Sequence, residues 1–131
     1  MLSRTLLVPI LWFLAMPLAA QDLSEYLWLK RPLVVFADTP NNPHFIRQME
    51  LLKEDPQSLL DRDVVILTDA DPKSRSPLRE KLRPRGFSLV LVGKDGKVKL
   101  RKPRPWTVRE ISRAIDNFPL RIDELRAKRG K

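Results

Sequence analysis

Two uninterrupted apolar runs dominate the first half of the chain, one within residues 31–37 and one within 64–70. Both are rich in β-branched side chains, which is typical of strands buried on both faces. Between them apolar residues recur at helical spacing, and Asn42 followed by Pro43 is a typical helix start. The apolar stripe of this helix comprises Phe45, Met49 and Leu52. The pattern predicts a strand–helix–strand unit with two parallel strands.

The second half of the chain predicts a short helix, a hairpin and a final helix. Ser76-Pro77 opens the short helix. Residues 87–101 contain two strand-like runs around Asp95-Gly96, a pair that favours a tight turn because glycine tolerates a positive φ angle. The stretch "TVRE" at 107–110 is a capping box, so we expect the final helix to begin there.

Strand, helix, strand, helix, hairpin, helix is the element order of the thioredoxin fold. We therefore predict an α/β, thioredoxin-like domain with a mixed sheet of about four strands in βαβ-α-ββ-α order and helices on both faces. A short helix within residues 22–30 should precede the first strand. The last residues, "RAKRGK", should form a short, frayed basic tail.

The first twenty residues predict a secretory signal peptide. Arg4 precedes the apolar run "LLVPILWFLAMPLAA", and Ala19-Ala20 offers small residues at a cleavage point. The run is shorter than the roughly 20 apolar residues that a spanning helix needs. Cleavage would leave residues 21–131 as a single domain without a membrane-spanning segment, in the periplasm or secreted. An uncleaved N-terminal anchor is the alternative.

The 131 residues contain no cysteine and one histidine, His44. Thiol nucleophiles, iron–sulfur sites and cysteine zinc sites are therefore excluded, and a single histidine leaves no His-rich metal site. The domain has to bury its core without disulfides. We expect no cofactor and no bound metal.

The turn after the first strand is the place where thioredoxins carry their dithiol. Asn41-Asn42-Pro43-His44 falls in that slot, with both sulfur positions replaced. Thioredoxins also place a proline before the hairpin, and this chain has Phe87-Ser88 there. Thiol–disulfide exchange is therefore excluded on chemical grounds.

The turn still offers a candidate pocket, because a helix N-terminus attracts anions and strand ends carry ligands in α/β folds. Its candidate residues are Asp38, Asn41, Asn42, His44, Asp69 and Asp71. The carboxylates could hold a divalent cation, but such residues more often begin turns and cap helices. In the simpler interpretation Asn42 only caps the helix and His44 is solvated.

Basic residues concentrate in the second half of the chain, where residues 73–131 carry 19 of the 25 Lys and Arg. In the second hairpin strand Val98 and Leu100 alternate with cations, which predicts one apolar and one cationic face. The candidate polyanion-binding residues are Arg83, Arg85, Lys94, Lys97, Lys99, Arg101, Lys102 and Arg104. Alternatively, these cations only protect an edge strand from pairing with another chain. Trp106 could stack on a sugar, although an edge-of-core role is the simpler interpretation for Trp106 and Trp28.

Four stretches together resemble a domain-of-unknown-function family of exported bacterial proteins: "RPLVVFA", "DRDVVILTD", "LRPRGFSLVLVGKDG" and "VKLRKPRPW" followed by "EISRAID". That family is related to a domain of vertebrate secreted matrix proteins, including the sushi-repeat-containing proteins and the down-regulated-by-oncogenes protein. The resemblance implies an extracytoplasmic, thioredoxin-like domain without redox cysteines. The association of the vertebrate relatives with adhesion and matrix assembly implies a binding role.

We therefore predict an exported, non-catalytic domain that binds an anionic polymer, an envelope surface or an acidic protein through its basic hairpin. A thiol-independent enzyme, or a small-ligand binder with a pocket at the cysteine-free turn, is the alternative. The export signal disfavours nucleic acid as the natural partner. The sequence leaves the oligomeric state open.

Overall fold

A computed structural model of the protein describes residues 22–130. A 3-10 helix at Leu23–Tyr26 leads into strand β1, and a second 3-10 helix lies at Pro72–Ser74. The strands are β1 (Arg31–Phe36), β2 (Val64–Asp69), β3 (Ser88–Val92) and β4 (Val98–Lys102). The helices are α1 (Pro43–Lys53), α2 (Pro56–Leu60), α3 (Pro77–Leu82), α4 (Val108–Asp116) and α5 (Pro119–Arg129). The predicted signal peptide at residues 1–20 lies outside the described residues.

The four strands form one mixed sheet in the order β2-β1-β3-β4. Strand β1 pairs in parallel with β2 and antiparallel with β3, which continues antiparallel into β4. The two central strands are buried along their whole length, as expected for strands covered on both faces. The predicted strand order along the chain and the mixed sheet are confirmed.

Helices cover both faces of this sheet and enclose two apolar clusters. On one face Leu52 of α1, Leu59 of α2 and Ile111 of α4 pack against inward-facing side chains of β1 and β3. On the other face Leu78 and Leu82 of α3 do the same. Successive residues of β1 and β3 belong to the two clusters in turn, because successive side chains of a strand point to opposite faces.

Two helices differ from the expectation. Helix α2 was not among the predicted elements; it begins at Pro56 because the Asp55 carboxylate accepts a hydrogen bond from Ser58 N at 3.1 Å and caps it. The C-terminal residues were predicted as a frayed tail, and most of them belong to α5. Arg121 of that helix is buried, so side-chain pairing anchors α5 to the domain.

None of the helices within residues 22–130 is long and apolar enough to cross a membrane.

Candidate functional site

Arg79 of α3 bridges the C-terminal ends of β1 and β2. Its Nη2 atom lies 3.1 Å from Ala37 O, 3.1 Å from Asp69 O and 3.1 Å from Asp69 Oδ1. The guanidinium also stacks over the Phe36 ring, 5.3 Å from its centroid. One side chain therefore ties α3 to the ends of both parallel strands, at the edge where α/β folds commonly place ligands.

The two aspartates predicted at this edge have internal partners. Asp69 accepts hydrogen bonds from the Ser76 hydroxyl and from Asp71 N, besides its pair with Arg79. Burial alone would raise the pKa of Asp69, but these hydrogen bonds and the nearby positive charge lower it below the ordinary value. Asp71 Oδ1 accepts from Lys73 N at 3.2 Å and so caps the second 3-10 helix.

The start of α1 is capped by its own sequence. Asn42 Oδ1 accepts from His44 N at 2.9 Å and from Phe45 N at 3.3 Å. The His44 side chain is exposed, and its ring centroid lies 5.6 Å from that of Phe87. Asn41 N donates to the Thr39 hydroxyl at 3.3 Å. Asn42 is therefore the cap of α1.

The six residues predicted for this pocket do not all line the cavity at the strand ends. Asp38 and Asp71 line an open cavity of about 650 Å³ between the two strand ends, whereas Asn41, Asn42 and His44 are not among its lining residues. Within residues 22–130, no three or more acidic, histidine or cysteine side chains are arranged to hold a metal ion.

A β-bulge interrupts the basic strand β4. Leu91 pairs with Leu100 but Val92 pairs with Val98, so Lys99 is an extra residue without a cross-strand partner. Paired residues point to the same face, and therefore Val98 and Leu100 point to opposite faces of the sheet. The predicted single apolar face of this strand is wrong, because the bulge reverses the alternation.

The two cations after the bulge lie on opposite faces, because they are consecutive residues of the strand. Arg101 pairs with Val90, and its Nη2 donates to Leu82 O at 2.7 Å on the α3 side. Lys102 lies on the opposite side, with its Nζ 4.6 Å from the centroid of the Trp106 ring. Trp106 itself packs at the edge of the core.

Three arginines of the predicted set line one cavity. Arg83, Arg85 and Arg101 surround a cavity of about 520 Å³ together with Phe87 and other residues, none of them acidic. Arg83 ends α3 with a φ angle of 46°, and the chain then turns back towards β3. We call this the arginine cavity. It adjoins the cysteine-free turn, because Phe87 also contacts His44.

The remaining predicted cations are placed differently. Lys97 and Arg104 are exposed, and Lys99 Nζ pairs with Asp95 Oδ2 at 2.8 Å. Lys94 is buried, with its Nζ 2.8 Å from Asp63 Oδ2 and 2.8 Å from Glu124 Oε1. This placement differs from the prediction for Lys94, because ion pairing holds it inside the domain and away from a surface-bound polymer.

Lys94 belongs to an ionic cluster that was not predicted from the sequence. Arg31 at the start of β1 is buried and donates to Glu124 Oε1 at 3.0 Å and to Arg62 O at 2.9 Å. Arg62 in turn forms a two-pronged pair with Asp116, at 2.9 Å for each contact. The position of Arg31 directly before an apolar run could have indicated a buried cation. Its partner Glu124 could not be identified, because it lies 93 positions further along the chain.

The cluster fixes the ionisation of Glu124. Burial would raise the pKa of this carboxyl, but hydrogen bonds and positive charge from Lys94 and Arg31 lower it to about 2. Glu124 also accepts from Arg121 Nη1 at 3.3 Å. The last helix is therefore attached to the first strand by a carboxylate that stays ionised at neutral pH.

Comparison with solved structures shows a thioredoxin fold. The reduced 2-Cys peroxiredoxin of Plasmodium vivax is similar with a TM-score of 0.57 and 16% sequence identity, over 73% of this chain and 81% of that chain. The mitochondrial 2-Cys peroxiredoxin of Plasmodium falciparum has a TM-score of 0.52 and 16% identity, over 73% and 79%. At this identity the likeness shows the fold alone.

No curated protein matches the chain. A family match covers residues 22–124, which include all four strands and helices α1 to α4. The protein therefore belongs to the family described as Domain of unknown function (DUF4174).

Proposed function

We propose that the protein is an exported, non-catalytic thioredoxin-like domain that binds an anionic polymer at the arginine cavity. The observation that carries the proposal is the convergence of Arg83, Arg85 and Arg101 on one cavity of about 520 Å³ without an acidic lining residue. Guanidinium groups bind sulfate, phosphate and carboxylate groups through paired hydrogen bonds, so three of them suit a polyanion.

The surroundings of the cavity support the same chemistry. Arg101 is held in place by its bond to Leu82 O, so part of the cationic surface is pre-organised. Exposed Lys97 and Arg104 extend the charge beyond the cavity. The resemblance to domains associated with matrix assembly and adhesion also supports binding rather than catalysis.

Heparin retention across a salt gradient tests this proposal on protein purified after expression of the full 131-residue chain. The informative variant is Arg83→Gln with Arg85→Gln, which removes two charges from the cavity and leaves Arg101 in place. Arg126→Gln with Arg129→Gln is the matched control, because it removes two charges from the exposed end of α5.

We expect the cavity variant to elute at clearly lower salt than the parent, and the control to elute close to the parent. Electrostatic binding weakens with salt, so elution reports the number of contacts. Equal shifts of the two variants would show attraction to net charge alone and would contradict a site at the cavity. The lysines of β4 would then serve only to protect the sheet edge.

Export has a separate test. Expression of the full chain in a Gram-negative host should yield mature protein in the periplasm or medium with Gln21 at its N-terminus. Recovery of only the unprocessed chain, attached to the membrane, would instead support the N-terminal anchor.

A further inference from the structure

A second cavity lies near the opposite end of the sheet from the arginine cavity. Its volume is about 260 Å³, and Trp28, Phe118 and Leu120 form much of its apolar lining. Arg31 and Lys94 contribute its buried cations. The volume is below the range of about 300–1,000 Å³ typical of pockets for drug-sized ligands, which points to a small molecule.

Lys94 has a hydrogen-bond donor to spare. An ammonium group carries three N–H donors. Asp63 Oδ2 accepts one at 2.8 Å, and Glu124 Oε1 forms an ion pair with the same nitrogen at 2.8 Å. Among residues 22–130 no further acceptor pairs with Lys94 Nζ. Because Lys94 is only 9% exposed and lines the cavity, a ligand oxygen in the cavity is the natural partner for the third donor.

Among the residues that the structure describes, cations outnumber carboxylates in the ion-paired cluster behind the cavity. Its members with largely buried cationic side chains are Arg31, Arg62, Lys94 and Arg121, and its carboxylates are Asp63, Asp116 and Glu124. Asp95 and Lys99 also line the cavity, but they form an ion pair at 2.8 Å, so their charges cancel. Buried charge is costly unless it is neutralised, so the excess favours a negatively charged occupant.

The start of α5 adds to this preference. The helix begins at Phe118-Pro119, and no side chain caps its first turn. Phe118, Pro119 and Leu120 all line the cavity, so the positive end of the helix lies beside it.

The apolar part of the lining is held open towards solvent. Trp28 is 67% exposed and has a φ angle of 63°, a left-handed conformation that is unfavourable for a bulky residue. The main-chain N–H of Trp28 donates to Lys94 O at 2.7 Å, and this bond holds the left-handed conformation beside Lys94. Trp28 is therefore not part of the core edge, contrary to the prediction, and presents apolar surface that a ligand would cover.

We propose that this cavity binds a small organic anion, such as a monocarboxylate with a short aliphatic or aromatic body. The carboxylate accepts from Lys94 Nζ, and the apolar body packs against Trp28 and Leu120. The site is independent of polymer binding at the arginine cavity, because the two cavities share no lining residue.

An NMR titration with hexanoate tests the proposal on protein purified from expression of the full chain. We expect saturable shifts of the Trp28 indole N–H and of the Gly93 amide, which both belong to the cavity lining. Hexan-1-ol lacks the charge and acetate lacks the chain, so each should bind at least about tenfold more weakly, as expected when a charge-assisted hydrogen bond or apolar burial is lost. Equal shifts with hexan-1-ol, or shifts that do not saturate with hexanoate, would overturn the proposal.

A matched pair of variants locates the binding. Leu120→Glu puts a negative charge into the cavity and is compatible with folding, because acidic residues are favourable in the first turn of a helix. Ile122→Glu makes a similar change on α5 at the same exposure of 37% but outside the lining. Hexanoate binding should be lost in the first variant and retained in the second. Equal loss in both, or retention in both, would contradict the site.

The variant Arg83→Gln with Arg85→Gln should leave hexanoate binding unchanged, since it alters the other cavity. Loss of hexanoate binding in that variant would place the anion at the arginine cavity and would refute a second site. Failure of heparin retention, in contrast, leaves this titration unaffected.

Discussion

Arg79 Nη2 lies 3.1 Å from Asp69 Oδ1, and the same nitrogen bonds the main chain at the ends of both β1 and β2. The strand ends that carry the dithiol turn in a thioredoxin are therefore bridged by an internal ion pair. Arg79 thus replaces the dithiol chemistry of this edge with an internal contact, and the two proposals place binding at the two cation-lined cavities instead.

Arg79→Met should destabilise the domain by about 3 kcal/mol, because it leaves the buried Asp69 carboxylate without its cation. Urea unfolding of the variant, followed by circular dichroism, measures this loss. Lys81→Met on the same helix is the control, since Lys81 is exposed and should change stability little. A similar small effect for both would show that the ion pair contributes no stability.

Acid should weaken the domain through Glu124. Its pKa is about 2 in the folded protein and about 4.5 when unfolded, so the unfolded chain binds the proton first as pH falls. The stabilisation is complete above about pH 4.5 and is lost between there and pH 2, up to about 3 kcal/mol. Urea unfolding from pH 6 to pH 3 should therefore show a steeper loss for the parent than for Glu124→Gln. Parallel curves for the two proteins would contradict this assignment.

Gln48→Met should cost about 2–4 kcal/mol, because two main-chain groups lose their partner. Gln48 is fully buried and bonds Trp106 twice, from Nε2 to Trp106 O at 2.8 Å and from Trp106 N to Oε1 at 2.9 Å. Chemical unfolding measures the loss, with Arg47→Met at an exposed neighbouring position as the reference. A Gln48 variant as stable as the reference would show that the paired bonds are dispensable.

Gly96→Ala should destabilise the hairpin by about 1 kcal/mol or more, because the φ angle of 80° disfavours any side chain. An added Cβ would also lie 2.8 Å from Leu27 Cδ2. Gly130→Ala is a natural control, since that glycine has a φ angle of −78° and meets nothing closer than 3.6 Å. Thermal unfolding distinguishes the two variants. An equal midpoint for both would show that a side chain at position 96 causes no strain.

The sheet could be predicted from sequence because its signals are local. The apolar runs of β1 and β3, the Asp95-Gly96 turn and the Thr107–Glu110 capping box each depend on residues close together in the chain. The bulge at Lys99 could not be predicted in this way, since one unpaired residue reverses every following side chain without changing the composition.

The ionic contacts could not be predicted because their partners are distant in sequence. Asp69 was predicted as a pocket residue, and its pairing with Arg79 depends on how α3 packs over the strand ends. The arginine cavity was partly predictable, since Arg83, Arg85 and Arg101 were recognised as one basic set. Which cations line the cavity could not be predicted, because Lys94 has the same charge as that set but lies in a different cluster.

The pair between Arg31 and Glu124 joins residues 93 positions apart, and this span restricts the order in which the domain can assemble. During synthesis the first strand is complete long before α5 leaves the ribosome. Until then the Arg31 guanidinium lacks the carboxylate that neutralises it. Burial of the N-terminal end of β1, where Arg31 lies, is therefore unfavourable. We therefore expect closure of this end to be a late event, and a chain truncated before residue 124 should remain open there even when the rest of its sheet has formed.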